Sequence, residues 1–417
     1  MQVFSRWTCA CPCLPERPPT PRSFCSSAFL LLTKGSRKSP ALTNTKSKRE
    51  CCRKKSRNAL LCKQMYTREI TPAPEKLIQN GKPVFGTFDT LPKKLDIKGV
   101  TTPYAGIPYP PILSRLRIRA RAVYVFSMGD YVGVVQFFDN KILNMAEFAL
   151  WNTKRGTKYV YRKFLGVRRK MIPTKLGAGR CSTRTPGRRI RFSWNHQSGR
   201  LLLAVNVKGF SHRPEIKIFS QGNFNDAASK EIVSVKPAPT TRRCSATWYA
   251  SVPITTKFEV KGVEKVAAES AKGNSLLFVN RAYYKFITRG ESITASGVVD
   301  GKNVSLRLST TSLDAANTSR HNDNALFVDG SFTPLPPVCI THPFGIAKDW
   351  NAQDYESMVD LSFVPQNSYS RKANFILVNA SYDTVFGFLN GSVLCADGSK
   401  IELRDFPAVA QISRIRL

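Results

Sequence analysis

From residue 66 onward the chain alternates apolar and polar residues with a period of two, and Asp-Gly and Asn-Gly pairs cut this pattern at short intervals. Side chains on an extended strand point alternately to two faces, so such a pattern specifies strands rather than helices. The Asp-Gly and Asn-Gly pairs supply the positive φ angles of tight hairpin turns. Hairpins are expected around Asp300-Gly301, Asp329-Gly330, Asn390-Gly391 and Asp397-Gly398, and the turn Met128-Gly129-Asp130 joins two further strands. In the run before that turn, Arg115, Arg117, Arg119 and Arg121 alternate with Leu116, Ile118, Ala120 and Ala122, which predicts one wet face and one dry face. More strands are predicted at Arg200–Val207, Glu215–Phe219, Ala246–Val252, Phe258–Val260 and Ser275–Val279. Helix signals are confined to Gly262–Gly273 and Ala352–Met358. Long helices alternating with strands are absent, which argues against an α/β fold. The expected class is all-β, antiparallel and hairpin-rich, with few short helices, built as two packed barrels or a large β-sandwich.

A chain of 417 residues exceeds one ordinary core. The expected division is a basic N-terminal extension over 1–64, an N-terminal β domain over 65–245 and a C-terminal β domain over 246–417. Residues 1–64 are rich in Pro, Ser, Cys, Lys and Arg and have no sustained period. Such a stretch buries too little apolar surface to offset its ordering entropy, so it reads as a disordered tail. Two other readings are a presequence and a gene model started too early, with Met65 the true start. The formal charge is +36. Up to residue 64, fourteen basic residues against Glu16 and Glu50 give +12, which leaves +24 on the rest. Seven of the eleven cysteines also fall in this segment, and the four beyond it are too scattered for a disulfide scaffold. That favours a reducing compartment: cytoplasmic, or mitochondrial if 1–64 is a presequence. No run of about 18 apolar residues occurs, so no transmembrane helix is expected. The oligomeric state is not legible.

The chain lacks a GxSxG elbow, an HExxH helix, a phosphate-binding lysine loop and a Cys-x-x-Cys pair, so neither a metal nor a cofactor is expected. The strongest charge feature is 154–191, which carries no acidic residue. It includes Arg162, Lys163, Arg168, Arg169, Lys170, Arg188, Arg189 and Arg191, with Tyr159, Tyr161, Phe164 and Phe192 interleaved. Basic groups neutralise phosphates and aromatic rings stack on bases, so single-stranded nucleic acid is one candidate partner. The plainer reading, which is favoured, is a solvated basic loop. A second candidate set is Asn280, Arg281, Tyr283 and Tyr284 at a strand end, with Trp248 on the preceding strand. An arginine among tyrosines lines ligand pockets as readily as it stacks structurally. The third is His342 with Asp349-Trp350 in a loop. A carboxylate beside an aromatic ring can serve as a general acid, although a capping aspartate beside a packed tryptophan is commoner.

These segments carry a resemblance. Glu69-Ile70-Thr71, Asn80-Gly81-Lys82, Val252-Pro253, Thr256-Lys257-Phe258 and Arg281-Ala282-Tyr283-Tyr284 come first. Asp300-Gly301-Lys302, Asn324–Gly330, Leu335–Val338 and Asp360–Pro365 follow, and Val385-Phe386-Gly387, Gly391-Ser392-Val393 and Ala396-Asp397-Gly398 close the series. In this order and spacing the chain resembles the family of domain of unknown function (DUF) 2804 over roughly 66–417. That family is similar to lipocalin-like two-barrel proteins, carotenoid hydratases among them. The resemblance implies a paired β-barrel with a hydrophobic cavity, and fold alone implies no activity. The chain departs from the family pattern at Val279-Asn280, near Ile293-Thr294 and within Pro407–Gln411. The first functional expectation is therefore a lipophilic small molecule bound in a β cavity. The second is a cofactor-free hydratase, cyclase or isomerase acting on a lipid or isoprenoid, and the third is a basic nucleic-acid-binding module. Whether the chain is an enzyme stays open at this point.

Overall fold

The computed structural model describes residues 66–104, 110–141, 144–166, 171–183, 185–261, 270–374 and 379–416. Four short strands come first: β1 (Ile70–Thr71), β2 (Ile78–Gln79), β3 (Lys82–Pro83) and β4 (Gly86–Phe88). Helix α1 (Pro111–Leu116) follows, with Pro110 at its N-cap. It takes Arg115 and Leu116 out of the expected strand, because proline pre-sets the backbone angle of a first helical turn.

The long strands then begin. They are β5 (Ile118–Met128), β6 (Tyr131–Asp139), β7 (Asn144–Asn152), β8 (Lys158–Leu165), β9 (Ala178–Ser182), β10 (Arg188–Asn195), β11 (Arg200–Val207), β12 (Glu215–Asn223), β13 (Lys230–Pro237), β14 (Cys244–Lys261) and β15 (Ser270–Tyr283). Their order in the first sheet is β8-β7-β6-β5-β15-β14-β12-β11-β10-β9. Strand β14 is 18 residues long, and the sheet forks on it. Its second half pairs with β12, while its first half pairs with β13, which continues to β4. The sheet curls until its ends meet: Arg188 of β10 donates to the Arg162 carbonyl of β8 at 2.9 Å, and the Tyr161 hydroxyl donates to the Pro214 carbonyl. Inside, Tyr124, Phe126, Phe137, Phe192, Trp194 and Trp248 are buried in one apolar core.

The chain passes to the second sheet between Tyr283 and Ile287. Its strands are β16 (Ile287–Val299), β17 (Lys302–Thr311), β18 (Ala325–Val328), β19 (Ser331–Pro334), β20 (Val338–Thr341), β21 (Trp350–Asp354), β22 (Val359–Asn374), β23 (Asn379–Leu394) and β24 (Lys400–Arg416). They pair in the order β19-β18-β17-β16-β24-β23-β22-β21-β20. This sheet also curls, and the Thr310 hydroxyl of β17 donates to the Val338 carbonyl of β20 at 3.0 Å. Trp350, Phe363, Leu389 and Phe406 fill its interior. The fold is all-β: two curled, barrel-like sheets, with one helix among the described residues. No helix of the described residues is long and apolar enough to cross a membrane.

Three hairpins form where Asp-Gly predicts them. Asp300 and Gly301 have φ of 49° and 78°, and Asp329 and Gly330 have 40° and 78°, the paired positive angles of a type I′ turn. Asp397-Gly398 turns the chain from β23 into β24. Asn390-Gly391 differs. It forms a bulge inside β23, where the register against β24 shifts between Leu389 and Gly391. A Cβ at Gly391 would stand 2.2 Å from the Asp360 carbonyl, so glycine is needed for close approach rather than for chain reversal. Ala352–Met358 is also corrected: it is the end of β21 and a turn. The Asp354 carboxylate accepts from the Glu356, Met358 and Val359 amides and so takes the donors a helix would have used. Of the Gly262–Gly273 helix expectation, 262–269 lie outside the described residues and 270–273 begin β15.

The two curled sheets pack outer face to outer face. Val123, Val125, Val134, Tyr249 and Phe278 of the first meet Phe327, Phe386 and Val409 of the second. Trp151 is fully buried there, with its ring 5.6 Å from Phe386 and 5.2 Å from Phe388. Strands β6 and β7 are consequently buried along their whole length, one face inside the first barrel and the other between the sheets. Trp151→Ala would remove the largest side chain from this contact and cost about 3–5 kcal/mol, as large-to-small core changes of tryptophan do. Chemical denaturation is expected to show that loss, and an unchanged midpoint would mean that the sheets do not stabilise each other.

Candidate functional site

On β5 the alternation sends Ala120, Ala122, Tyr124 and Phe126 into the first barrel. The other parity, Arg119, Arg121, Val123 and Val125, therefore faces the second sheet. The arginine face is not a solvent face, as the sequence had suggested: Arg119 is buried and Arg121 half-buried between the sheets. Arg121 donates to Gln136 Oε1 at 2.9 Å and to Gln411 Oε1 of β24. Gln136 is held in that orientation because its Nε2 donates to Glu147 Oε1 at 2.6 Å. Glu147 is fully buried and receives Arg162 at 2.8 Å, Arg371 at 2.8 Å and the Tyr369 hydroxyl at 2.9 Å. A polar seam thus runs from Glu147 through Gln136 to Arg121, and three of its members belong to the second sheet.

Beyond Arg121 the seam opens into a cavity of about 100 Å³. Phe278, Tyr249, Tyr284 and Tyr382 give it aromatic walls, and Arg121, Arg307 and Lys236 give it positive charge. Arg307 lies 4.6 Å over the Phe278 ring and donates to the Thr294 hydroxyl. Neither Arg121 nor Arg307 has a carboxylate within ion-pair distance among the described residues, although Asp323 acts on Arg307 from further off. Burial, together with the nearby charges of Arg371 and Arg307, lowers Arg121 to about 10. Two carboxylates do line the cavity, and both are engaged. Asp323 holds Lys236 at 2.8 Å and accepts from the Ser234 hydroxyl at 3.0 Å, and Glu291 stands 3.3 Å from His342 Nε2. Burial alone would push the Lys236 ammonium down, but Asp323 and Asp314 raise it above its ordinary value. Tyr382 also lines this space, and its Oη is buried with no hydrogen-bond partner, and burial raises its pKa.

The cavity gathers some of the sequence-predicted residues and leaves others apart. Asn280 lines it, with Nδ2 donating to Ser245 Oγ at 2.9 Å and Thr247 Oγ1 at 2.8 Å, and Tyr284 lines it as well. Arg281 and Tyr283 point the other way along β15: Arg281 donates to the Ile172 carbonyl at 2.6 Å and Tyr283 to the Ile97 carbonyl at 2.9 Å. Trp248 is in the first barrel's core, where it donates at 3.0 Å to Glu231, which also holds His196 at 2.9 Å. His342 touches the cavity only through Glu291, and its ring lies 4.7 Å from the buried Trp350. Asp349 is exposed. Of the basic set, Arg162 turns inward to Glu147, Lys163 is half-buried on β8, and Arg188 is tied to the Arg162 carbonyl. Arg189 and Arg191 are exposed, and Arg168, Arg169 and Lys170 lie outside the described residues.

The sequence reading missed Arg121, Arg307, Lys236, Tyr382 and Gln411. Only Arg121 had a signal, the period-two arginine run. The departures from the family pattern offered another: Asn280 and Gln411 line the cavity, and Thr294 holds the arginine that does.

The buried carboxylate of the seam has a pH signature. Burial pushes Glu147 up, but Arg371 and Arg162 pull it down further, so in the folded chain it titrates below its ordinary value. A depressed carboxylate contributes stability at neutral pH and loses that contribution as pH falls below about 4.3. Glu147→Gln is expected to lower stability near neutrality by roughly 3–5 kcal/mol, because the buried Arg371 and the half-buried Arg162 lose their counter-charge. It should also flatten the acid limb of the stability curve below about pH 4. Denaturation midpoints across pH check both, and an acid limb of unchanged slope would show that Glu147 does not carry it.

No curated protein matches this chain. Among solved structures it is similar to kievitone hydratase from Nectria haematococca at 9% identity, covering 72% of this chain and 88% of that one, with a TM-score of 0.38. It is similar to an anion-selective porin from Comamonas acidovorans at 8% identity, covering 72% and 96%, with a TM-score of 0.13. Likeness at these scores carries no argument about activity. The family model for the domain of unknown function DUF2804 matches residues 67–416, and the chain belongs to that family.

Proposed function

We propose that the cavity between the sheets binds a small molecule with an apolar, ring-sized body and an anionic head. One observation carries this reading. Arg121 and Arg307 are turned into a largely buried space without carboxylate partners, beside a Tyr382 hydroxyl that is buried and unpaired. Burying an uncompensated charge costs several kcal/mol, and a buried hydroxyl without a partner costs about 1–3 kcal/mol more. An anionic oxygen placed among the three relieves both costs. The aromatic walls suit the rest of such a ligand, since ring contacts add to the area they bury.

Size narrows the class. A cavity of about 100 Å³ is smaller than the engineered protein cavity of about 150 Å³ that takes up benzene, so one small ring is the most it encloses. A long isoprenoid does not fit. Glu291 and Asp323 line the cavity, which keeps a proton-transfer role on the page. Both are held by partners, Glu291 by His342 and Asp323 by Lys236, so neither is a free base, and binding is the favoured reading.

Calorimetric titration with cinnamate, and with its neutral amide as control, tests the proposal. Cinnamate is expected to bind and the amide to bind at least tenfold more weakly, about 1.4 kcal/mol. Arg121→Met should abolish that preference, and Tyr382→Phe should weaken cinnamate several-fold with the preference retained. Equal affinity for acid and amide would contradict the proposal.

A further inference from the structure

The outer face of the first sheet over β9–β12 and β14 carries a different arrangement. Register alignment of β9, β10, β11, β12 and β14 sets side chains of one parity in rows across the strands. One row is Ser182, Arg191, Ala204, Phe219 and Lys257. The next is Arg180, Ser193, Leu202, Gln221 and Thr255, and β15 adds Lys272 opposite Thr255. Arg189 and Arg200 stand on either side along β10 and β11. Arg180, Arg189, Arg191, Arg200, Lys257 and Lys272 are all exposed, and none has an ion-pair partner among the described residues. Glu215 and Glu259, the acids on these strands of this face, are matched by Lys217 and Lys261 at 3.3–3.8 Å. Amid the unmatched cations Phe219 is 49% exposed, flanked by the small Ala204. A groove runs beside it past Gln221, Thr255, Lys257 and Lys272, with Asp226 and, from the second sheet, Val298, Gly301 and Asn303 also lining it.

We infer that this face binds single-stranded nucleic acid, with one base stacked on Phe219 and the phosphates held by the arginines and lysines around it. The inference is independent of the cavity. Charge complementarity selects a polyanion, because these cations are exposed and unneutralised. The row geometry selects an unpaired strand. Arg191 and Lys257 lie three strand spacings apart with Phe219 between them, about 14 Å at the usual spacing of ~4.8 Å. A sheet-borne aromatic with cations on both sides can take a base face-on only when that base is unpaired. Exposed amides at Asn206, Gln221 and Asn223 offer donors and acceptors to base edges. An anionic bilayer is the less fitting partner, since Phe219 lies mid-strand on the barrel wall rather than at a protruding loop tip.

Anisotropy of a labelled oligo(dT), measured on the full chain across a salt series, tests the inference. Binding at low salt is expected, with the logarithm of affinity falling linearly with the logarithm of salt. Arg189→Glu with Arg191→Glu should weaken binding at least tenfold and reduce that slope by roughly 1.4, two phosphates at about 0.7 each. Phe219→Ala should weaken binding about fivefold or more and leave the slope unchanged, because stacking is not ionic. These side chains are on the surface, and thermal midpoints equal to wild type would confirm intact folding. Any of three results overturns the inference: no binding at low salt, full affinity in the arginine variant, or phosphatidylserine vesicles bound in a Phe219-dependent way. Full affinity in the arginine variant would point to basic residues elsewhere in the chain, residues 1–64 included.

Discussion

The contact between the outer faces of the two curled sheets is the constraint on which the rest of the molecule depends. Each sheet encloses an apolar core of its own, so each could have left its outer surface to water. Instead β5, β6 and β7 present valines and Trp151 outward, and the second sheet answers with Phe327, Phe386, Phe388 and Val409. Strands covered on both sides cannot use one face for charge without consequence. The arginines and the glutamate of this layer are taken out of water together with the valines, and they must find partners across the contact. Glu147 finds Arg371 and Tyr369 of the second sheet, and Arg121 finds Gln411.

That pairing is complete at one end of the seam and incomplete at the other. Around Glu147 the charges are matched and every carboxylate oxygen has a donor, which reads as structural cross-linking. Around Arg121 and Arg307 the partners are neutral amides, a hydroxyl and a ring, and Tyr382 Oη has nothing. A fold that satisfies Glu147 so fully has the means to satisfy Arg121 with a residue of its own. The missing partner at the cavity is the place we propose for a ligand. Across β7, β6 and β5 the two ends are joined through Gln136, which Glu147 orients, so the structural part of the seam positions the part proposed to bind.

What was legible in the sequence was local. Asp300-Gly301 and Asp329-Gly330 declared their hairpins because two positive φ angles in succession are a backbone requirement that few residues meet, and Asp397-Gly398 did so through the single positive φ of Gly398. Asn390-Gly391 carries the same local code and serves a bulge, since positive φ does not state whether the chain reverses. The arginine alternation on β5 was legible as a strand, but which medium each face meets depends on a sheet some 290 residues away in the chain, from Arg121 to Gln411. The same non-locality hid Tyr382 and Lys236. Asn280 and Tyr284 were found because they end a strand on the cavity side. Their neighbours Arg281 and Tyr283 were grouped with them by sequence and are separated from them by the pleat.

A crystal structure of the protein soaked with 4-bromocinnamate tests the central claim most directly, because bromine is located by its anomalous signal. The account predicts a bromine site among Phe278, Tyr284 and Tyr382, with the carboxylate against Arg121 and the Tyr382 hydroxyl. Bromine inside either barrel, or an empty cavity in which a carboxylate of the chain itself has closed on Arg121, would contradict it.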